Sequence, residues 1–391
     1  MAQNYMNRKE LPVLLLTGYL GSGKTTLLNK ILSNRRGIRF AVIVNDIGEV
    51  NIDADLIQKE GIVNQKDDNL IALQNGCICC TLKTDLIEQL HGIAVTGKFE
   101  YIVIEASGIC EPEPIARTIC SIPSIYPTLA KDAPVRLDSI VTVVDALRMR
   151  DEFGCGQDLV RKDIDEEDIQ SLVIQQIEFC NFILLNKASE ISDREREKVT
   201  GILKALQPDA RILPCDYGEV DFDLFLNSGT FDFEKVATSA TWIKEVEGHH
   251  EHEHEHEHEH EHNEEGEAEE YGIGTFVYCR RQPLDINRFD NFVAKKWPST
   301  VIRTKGICYF SEEFNTCYLF EQAGKQFSMK NVGDWYATMP ASELNALLER
   351  EPDLALDWDD IYGDRMQKLV FIGQNMDRDA IEAELDKCLV E

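Results

Sequence analysis

The chain is poor in positive charge. Against 70 acidic residues it sets only 40 lysines and arginines, a formal charge of −30 over 391 residues. Such a field repels nucleic-acid phosphates and anionic membrane surfaces, which disfavours nucleic-acid and membrane partners and suits the handling of cations. No apolar run approaches the ~18 residues of a membrane span, and Met1 to Arg8 is too polar to open a secretory signal. A cytoplasmic protein is therefore expected. Regular disulfide-like spacing is also missing: the twelve cysteines are scattered, compatible with reduced thiols, and only Cys77, Cys79 and Cys80 crowd together. Core material is ample, and the length exceeds the roughly 250–300 residues at which a single core stops growing, so two domains are expected.

Residues 18–25, Gly18-Tyr19-Leu20-Gly21-Ser22-Gly23-Lys24-Thr25, fit the spacing Gly-x4-Gly-Lys-[Ser/Thr] of a phosphate-binding loop. Gly18, Gly21 and Gly23 let the backbone turn tightly and aim successive N–H groups, that of Ser22 among them, at a phosphate. The helix that follows, opening at Thr25 and Thr26, presents its positive end to the same anion. Lys24 is placed to neutralise β- and γ-phosphates and the Thr25 hydroxyl to ligate Mg²⁺. Context agrees: Pro12–Leu16 is a continuous apolar run suited to a buried parallel strand, and Thr25–Leu32 carries apolar residues at helical spacing. A glycine-rich turn with an incidental lysine would need that order of strand, loop and helix to be coincidence.

Phe40–Val44 is a second buried-strand pattern, followed by the acids Asp46, Glu49 and Asp53. Ligands of a parallel sheet gather outside the carboxyl ends of its strands, so these acids can serve Mg²⁺, a second metal or, for Asp46, the attacking water; a solvated polar loop is the alternative. Tyr101–Ile104 leads into Glu105 and then Gly108, a Walker-B-like ending in which Glu105 organises the Mg²⁺ shell and the Gly108 amide senses a γ-phosphate. Further strands at Ser139–Asp145 and Phe182–Asn186, alternating with helical stretches, specify a mostly parallel sheet covered by helices on both faces. Asn186 and Lys187 open Asn-Lys-Ala-Ser where P-loop GTPases carry Asn-Lys-x-Asp, whose acid pairs with guanine. Ser189 stands at that place and Glu190 follows it. A hydroxyl accepts weakly beside a carboxylate, so guanine against adenine stays open. In Gly76-Cys77-Ile78-Cys79-Cys80 the thiols offer soft ligands to Zn²⁺ or Cu(I), with Gly76 giving the backbone room. Tetrahedral zinc takes four ligands, so Glu49, a remote histidine or a water must complete the shell, and buried structural cysteines are the alternative.

Taken in order, the phosphate loop, the 45–53 segment, Cys77-Ile78-Cys79-Cys80, Glu105-Ala106-Ser107-Gly108 and Asn186-Lys187 resemble the CobW-like P-loop GTPase family, the cysteine element being the most specific. Arg280-Arg281-Gln282-Pro283, Val301–Gly306, Gly363-Asp364-Arg365 and Leu369–Gly373 look like that family's C-terminal domain. The departures are Ser189 for Asp, and Asp46-Ile47 where a Glu-Phe pair is usual. The resemblance implies a GTP-hydrolysing metallochaperone using GTP and Mg²⁺, with a metalloprotein client and with zinc the commonest cargo, cobalt or iron in some members.

Between the two matched regions the chain alternates Glu and His, placing His249, His250, His252, His254, His256, His258, His260 and His262 among carboxylates without apolar residues. This composition reads as a disordered linker and also as a dense set of borderline ligands for Zn²⁺, Ni²⁺ or Co²⁺. The expected organisation is a P-loop domain over 1–230, an acidic histidine-rich linker over 231–271 and a smaller α+β domain over 272–391. Trp335, Tyr336 and Trp358 are either core of that small domain or a partner surface. Homo-oligomerisation stays open. The expected function is GTP-dependent metal delivery; a nucleotide-binding metal buffer with negligible turnover and a P-loop kinase are the rivals.

Overall fold

The computed structural model describes residues 10–33, 37–44, 72–74, 83–151, 154, 169–233, 235–236, 272–323, 326–350, 354 and 358–390. Every residue of β1 (Leu11–Thr17), β2 (Phe40–Val44), β4 (Tyr101–Glu105) and β6 (Phe182–Asn186) is buried. Apolar runs without polar alternation bury both faces, which a parallel sheet under helices allows. With β3 (Ala72–Gln74), β5 (Val135–Asp145) and β7 (Arg211–Pro214) they form a seven-stranded sheet in the order β3-β2-β4-β1-β5-β6-β7, each neighbouring pair parallel. β1 lies between β4 and β5, with Leu16 opposite Glu105 and Thr17 opposite Thr142.

Parallel neighbours need crossovers, and helices supply them: α1 (Lys24–Ser33), α2 (Lys83–Thr96), α3 (Pro112–Ile125), α4 (Pro127–Asp132), α5 (Ala146–Asp151), α6 (Ile169–Glu178) and α7 (Asp193–Leu206). α3 shows how sequence selects such a helix. Pro112 sits at its start, where a missing N–H costs nothing, and Ile115, Ala116, Ile119 and Ile122 bury one face at three- and four-residue spacing. In α1, Leu27, Leu28 and Ile31 are wholly buried against strand residues such as Leu14, Val42 and Leu184. Each contributes about 1.5–3 kcal/mol, so the turn ahead of α1 is anchored from behind. Because all strands run one way, Thr17, Glu105, Asp145 and Asn186 end at the same edge of the sheet.

The chain divides into two compact units, the described residues of 1–152, 172–196 and 209–238, and those of 153–171, 197–208 and 239–391. In the second, β8 (Ile273–Arg280), β9 (Val301–Cys308), β10 (Thr316–Ala323), β11 (Gln326–Asp334) and β12 (Gln367–Gln374) make an antiparallel sheet ordered β11-β10-β9-β12-β8. Its core joins Tyr278, Phe320 and Phe371 to Phe289 and Phe292 of α8 (Ile286–Lys295) and to Ile381 and Leu385 of α10 (Arg378–Asp386). Asp285 and Asp377 cap these helices by accepting from Arg288 N at 2.9 Å and Ala380 N at 3.0 Å, each cap contributing about 1 kcal/mol. α9 (Ala341–Arg350) buries no residue, and β11 is exposed throughout. Trp335 is core, its Nε1 donating to Thr316 O at 3.1 Å, whereas Tyr336 is 49% exposed. Across β9 and β10, Lys305 Nζ meets Glu321 Oε1 at 2.8 Å.

Candidate nucleotide-binding site

The turn between β1 and α1 is one only glycine can make. Gly18 (φ +132°) and Gly23 (φ +107°) lie outside the range L side chains prefer, and a Cβ at either would collide, with the Val143 carbonyl and the Asn186 amide respectively. Gly21 turns at the exposed tip. Lys24, 8% exposed, reaches across the loop, its Nζ donating to Gly18 O at 2.8 Å and Tyr19 O at 3.2 Å. Ser22 is 2% exposed, and its Oγ has no hydrogen-bond partner among the described residues. An orphaned buried hydroxyl inside such a turn fits the oxygens of a phosphate.

Thr25 Oγ1 donates to Oε1 of the buried Glu105 at 2.9 Å. Two hard oxygens thus meet beside Lys24, a donor set suited to Mg²⁺. Thr26 points to solvent in the same turn. Gly108 lies against the tip of the loop, where a Cβ would come within 2.7 Å of Leu20 Cδ2, Cγ and N. Its turn is held from below by Gln176 of α6, whose Nε2 donates to Gly108 O at 3.2 Å and Cys110 O at 3.1 Å. The Gln176 carbonyl accepts from Thr142 Oγ1 at 2.7 Å, and that hydroxyl lies 2.8 Å from Thr17 Oγ1. A buried polar chain therefore runs from the end of β1 to the Gly108 turn.

On the other side, Asn186 Nδ2 donates to Ser22 O at 2.9 Å while its Oδ1 accepts from Gly218 N at 3.2 Å. Lys187, left-handed at φ 59°, is ion-paired to Asp145. Asp145 also accepts from Arg148 N at 3.0 Å, and the Arg148 guanidinium donates to Leu20 O at 2.6 Å and lies 4.6 Å from the Tyr19 ring centroid. Ser189 and Glu190 are exposed, and Ser189 N donates to Asp216 Oδ1 at 3.0 Å. Nearby thiols are not primed as metal ligands: burial pushes Cys180 up to about 12 and Cys215 to about 11.

Lys24, Thr25, Glu105, Gly108 and Asn186 are thus brought together around Gly18, Gly21, Ser22 and Gly23. Asp46, Glu49, Cys77, Cys79 and Cys80 and the histidines of 249–262 lie outside the described residues. Among the described residues no group of three or more His, Cys, Asp or Glu is placed to hold a metal ion, and no helix is long and apolar enough to cross a membrane. Sequence reasoning missed Thr142, Arg148, Gln176 and Asp216.

Comparison with known proteins gives two family matches: the CobW/HypB/UreG nucleotide-binding domain over residues 12–214 and the cobalamin synthesis protein CobW C-terminal domain over 273–389. The zinc-regulated GTPase metalloprotein activator 1 of Dictyostelium discoideum is 36% identical across 98% of this chain and 80% of its own length. The protein of the same name in Schizosaccharomyces pombe is 34% identical over 57% of this chain and 52% of its own length, and the Escherichia coli zinc chaperone YjiA is 31% identical over 59% and 65%. The match thus spans only part of the latter two. The crystal structure of Zn(II)-bound YjiA GTPase from E. coli covers 98% of this chain and 100% of its own at 21% identity, with a TM-score of 0.41, a likeness that adds nothing to those matches.

Proposed function

Because the chain belongs to the CobW/HypB/UreG nucleotide-binding family and carries a CobW C-terminal domain, we propose that it is a Mg²⁺-dependent GTPase whose nucleotide state controls delivery of a transition metal to a metalloprotein client. Zinc is the first choice of cargo, cobalt or iron the alternatives. The observation that carries this reading is the convergence of Lys24, Thr25, Glu105 and Gly108 on one glycine-built cradle.

In this reading Lys24 and the loop N–H groups bind the β- and γ-phosphates, Asn186 and Lys187 order the base side, and Thr25 and Glu105 would hold Mg²⁺, which offsets triphosphate charge. Asp46 orients a water whose oxygen attacks the γ-phosphorus as the bond to the β–γ bridging oxygen breaks, leaving GDP and phosphate. Gly108 then loses the group its amide held, and its turn is free to relax against Leu20. Cys77, Cys79 and Cys80, completed by Glu49 or a histidine, bind the cargo as thiolates, and the histidines of 249–262 load or buffer it. The names of the relatives, zinc chaperone and zinc-regulated activator of metalloproteins, support zinc and such a client. The scattered spacing of the twelve cysteines, unlike that of a disulfide framework, supports a reducing, cytoplasmic setting.

A second reading, a nucleotide-binding zinc buffer with negligible turnover, is favoured by the density of histidines at 249–262. Zinc affinity of a variant lacking 249–262, titrated with GDP and with a non-hydrolysable GTP analogue, separates the two. Coupling predicts affinities differing by roughly 5- to 150-fold, with nucleotide affinity changing reciprocally. Equal affinities and no turnover would remove the delivery reading and leave the buffer.

A further inference from the structure

We propose that Asp216 selects the guanine ring, supplying the carboxylate that Ser189 lacks; this rests on the GTP-binding reading above. Ser189 occupies the fourth position of Asn-Lys-Ala-Ser, and its backbone N–H donates to Asp216 Oδ1 at 3.0 Å. An acid from the loop after β7 therefore stands beside the place where an acid from the loop after β6 is missing.

That placement is fixed by the surrounding backbone. Cys215 N donates to Leu185 O at 2.9 Å, Ala188 N to Cys215 O at 3.1 Å, and Glu219 N to Asp216 O at 2.9 Å. Asn186 ties the same loop to the phosphate cradle, accepting from Gly218 N at 3.2 Å while donating to Ser22 O at 2.9 Å. A nucleotide anchored by its phosphates at Gly18–Lys24 and running along the carboxyl edge past β5 and β6 brings its base to this loop. Asp216 is half-buried, and its Oδ2 has no partner among the described residues. Each carboxylate oxygen carries two lone pairs, so Oδ1 also retains acceptor capacity. Guanine offers adjacent N1–H and 2-amino donors to such a pair of oxygens. Adenine offers an acceptor at N1 and no amino group at C2, so the same carboxylate rejects it.

Glu190 is the competing acid. Its backbone is engaged, N donating to Lys187 O at 3.1 Å and O accepting from Arg150 at 3.3 Å, but its carboxylate is exposed and no described residue holds it. An unheld carboxylate must be ordered on binding, which lowers its discrimination.

The test titrates GDP, xanthosine diphosphate and ADP into the wild-type protein, Asp216→Asn and Glu190→Gln, in Mg²⁺. Asparagine keeps an oxygen for Ser189 N–H, so the loop is retained. It also turns a donor toward the base, which opposes the guanine amino group and matches the C2 carbonyl of xanthine. The expected result is GDP affinity reduced on the order of 10- to 100-fold in Asp216→Asn, xanthosine diphosphate affinity raised, and Glu190→Gln like wild type. An unchanged GDP-to-xanthosine-diphosphate ratio in Asp216→Asn, or inversion by Glu190→Gln, overturns the assignment while leaving the GTP-binding reading intact. A wild-type protein that binds none of the three overturns that reading itself, and the two failures are told apart because all variants then fail alike.

Discussion

At Gly108 it is space, and not backbone conformation, that requires glycine. A Cβ there would sit within 2.7 Å of three Leu20 atoms, and one of them is the backbone nitrogen, which cannot swing away. Gly108→Ala must therefore push the tip of the phosphate loop and the turn apart. We expect single-turnover GTP hydrolysis to slow by roughly tenfold or more, with GDP affinity nearly unchanged because GDP has no γ-phosphate for this turn to meet. Hydrolysis at the wild-type rate would refute the role. Gly108, Lys24, Thr25, Glu105 and Asn186 were legible because spacing along the chain fixes their identity. Gln176 was not, since its partners at Gly108 and Cys110 lie 68 and 66 residues away, and one glutamine in a helix that also carries Gln170, Ser171 and Gln175 has no local signature. Asp216 was hidden for the same reason: what marks it is a contact to Ser189, 27 residues earlier.

The parallel strands announce themselves as elements because burial on both faces removes polar alternation, and a parallel sheet carries the carboxyl ends of its strands to one edge. The antiparallel sheet was less legible. Strands such as β11, exposed along all nine residues, carry little hydrophobic signal. Between β9 and β10 the Lys305–Glu321 pair is a cross-strand contact with a pH signature. Burial pushes the Glu321 carboxyl up, but Lys305, helped by Arg303 and Lys330, outweighs it and holds the group below its ordinary 4.5. A carboxyl depressed in the folded state stabilises fully above its unfolded value and loses that contribution as pH falls through the folded one. Glu321→Gln should therefore cost about 1–3 kcal/mol at neutral pH, between an exposed and a buried pair. The gap in Tm from wild type should close as melts are taken from pH 7 to below 4. A gap independent of pH would show that packing, not charge, sets the cost.

At the scale of the molecule, the histidine-rich tract and the two compact units are expected to be separable. The tract has no apolar residues from which to build a core, so deleting 249–262 should leave the Tm of the metal-free protein unchanged while lowering the number of weakly bound zinc ions. Acidification below about pH 6 should release those ions from the intact chain as imidazoles protonate. A large fall in Tm on deletion would contradict the separation. The division at 12–214 and 273–389 also follows the sheets, one wholly parallel and one wholly antiparallel. The first of these has a consequence for how the protein is made. β1 is flanked by β4 and β5, and its loop is tied through Asn186 to Gly218. On a ribosome, a phosphate loop complete in sequence by Thr25 stays structurally unfinished until Gly218 has emerged. A ligand that binds the finished loop can add its binding energy to the fold only after that point, however early the loop's own residues were made.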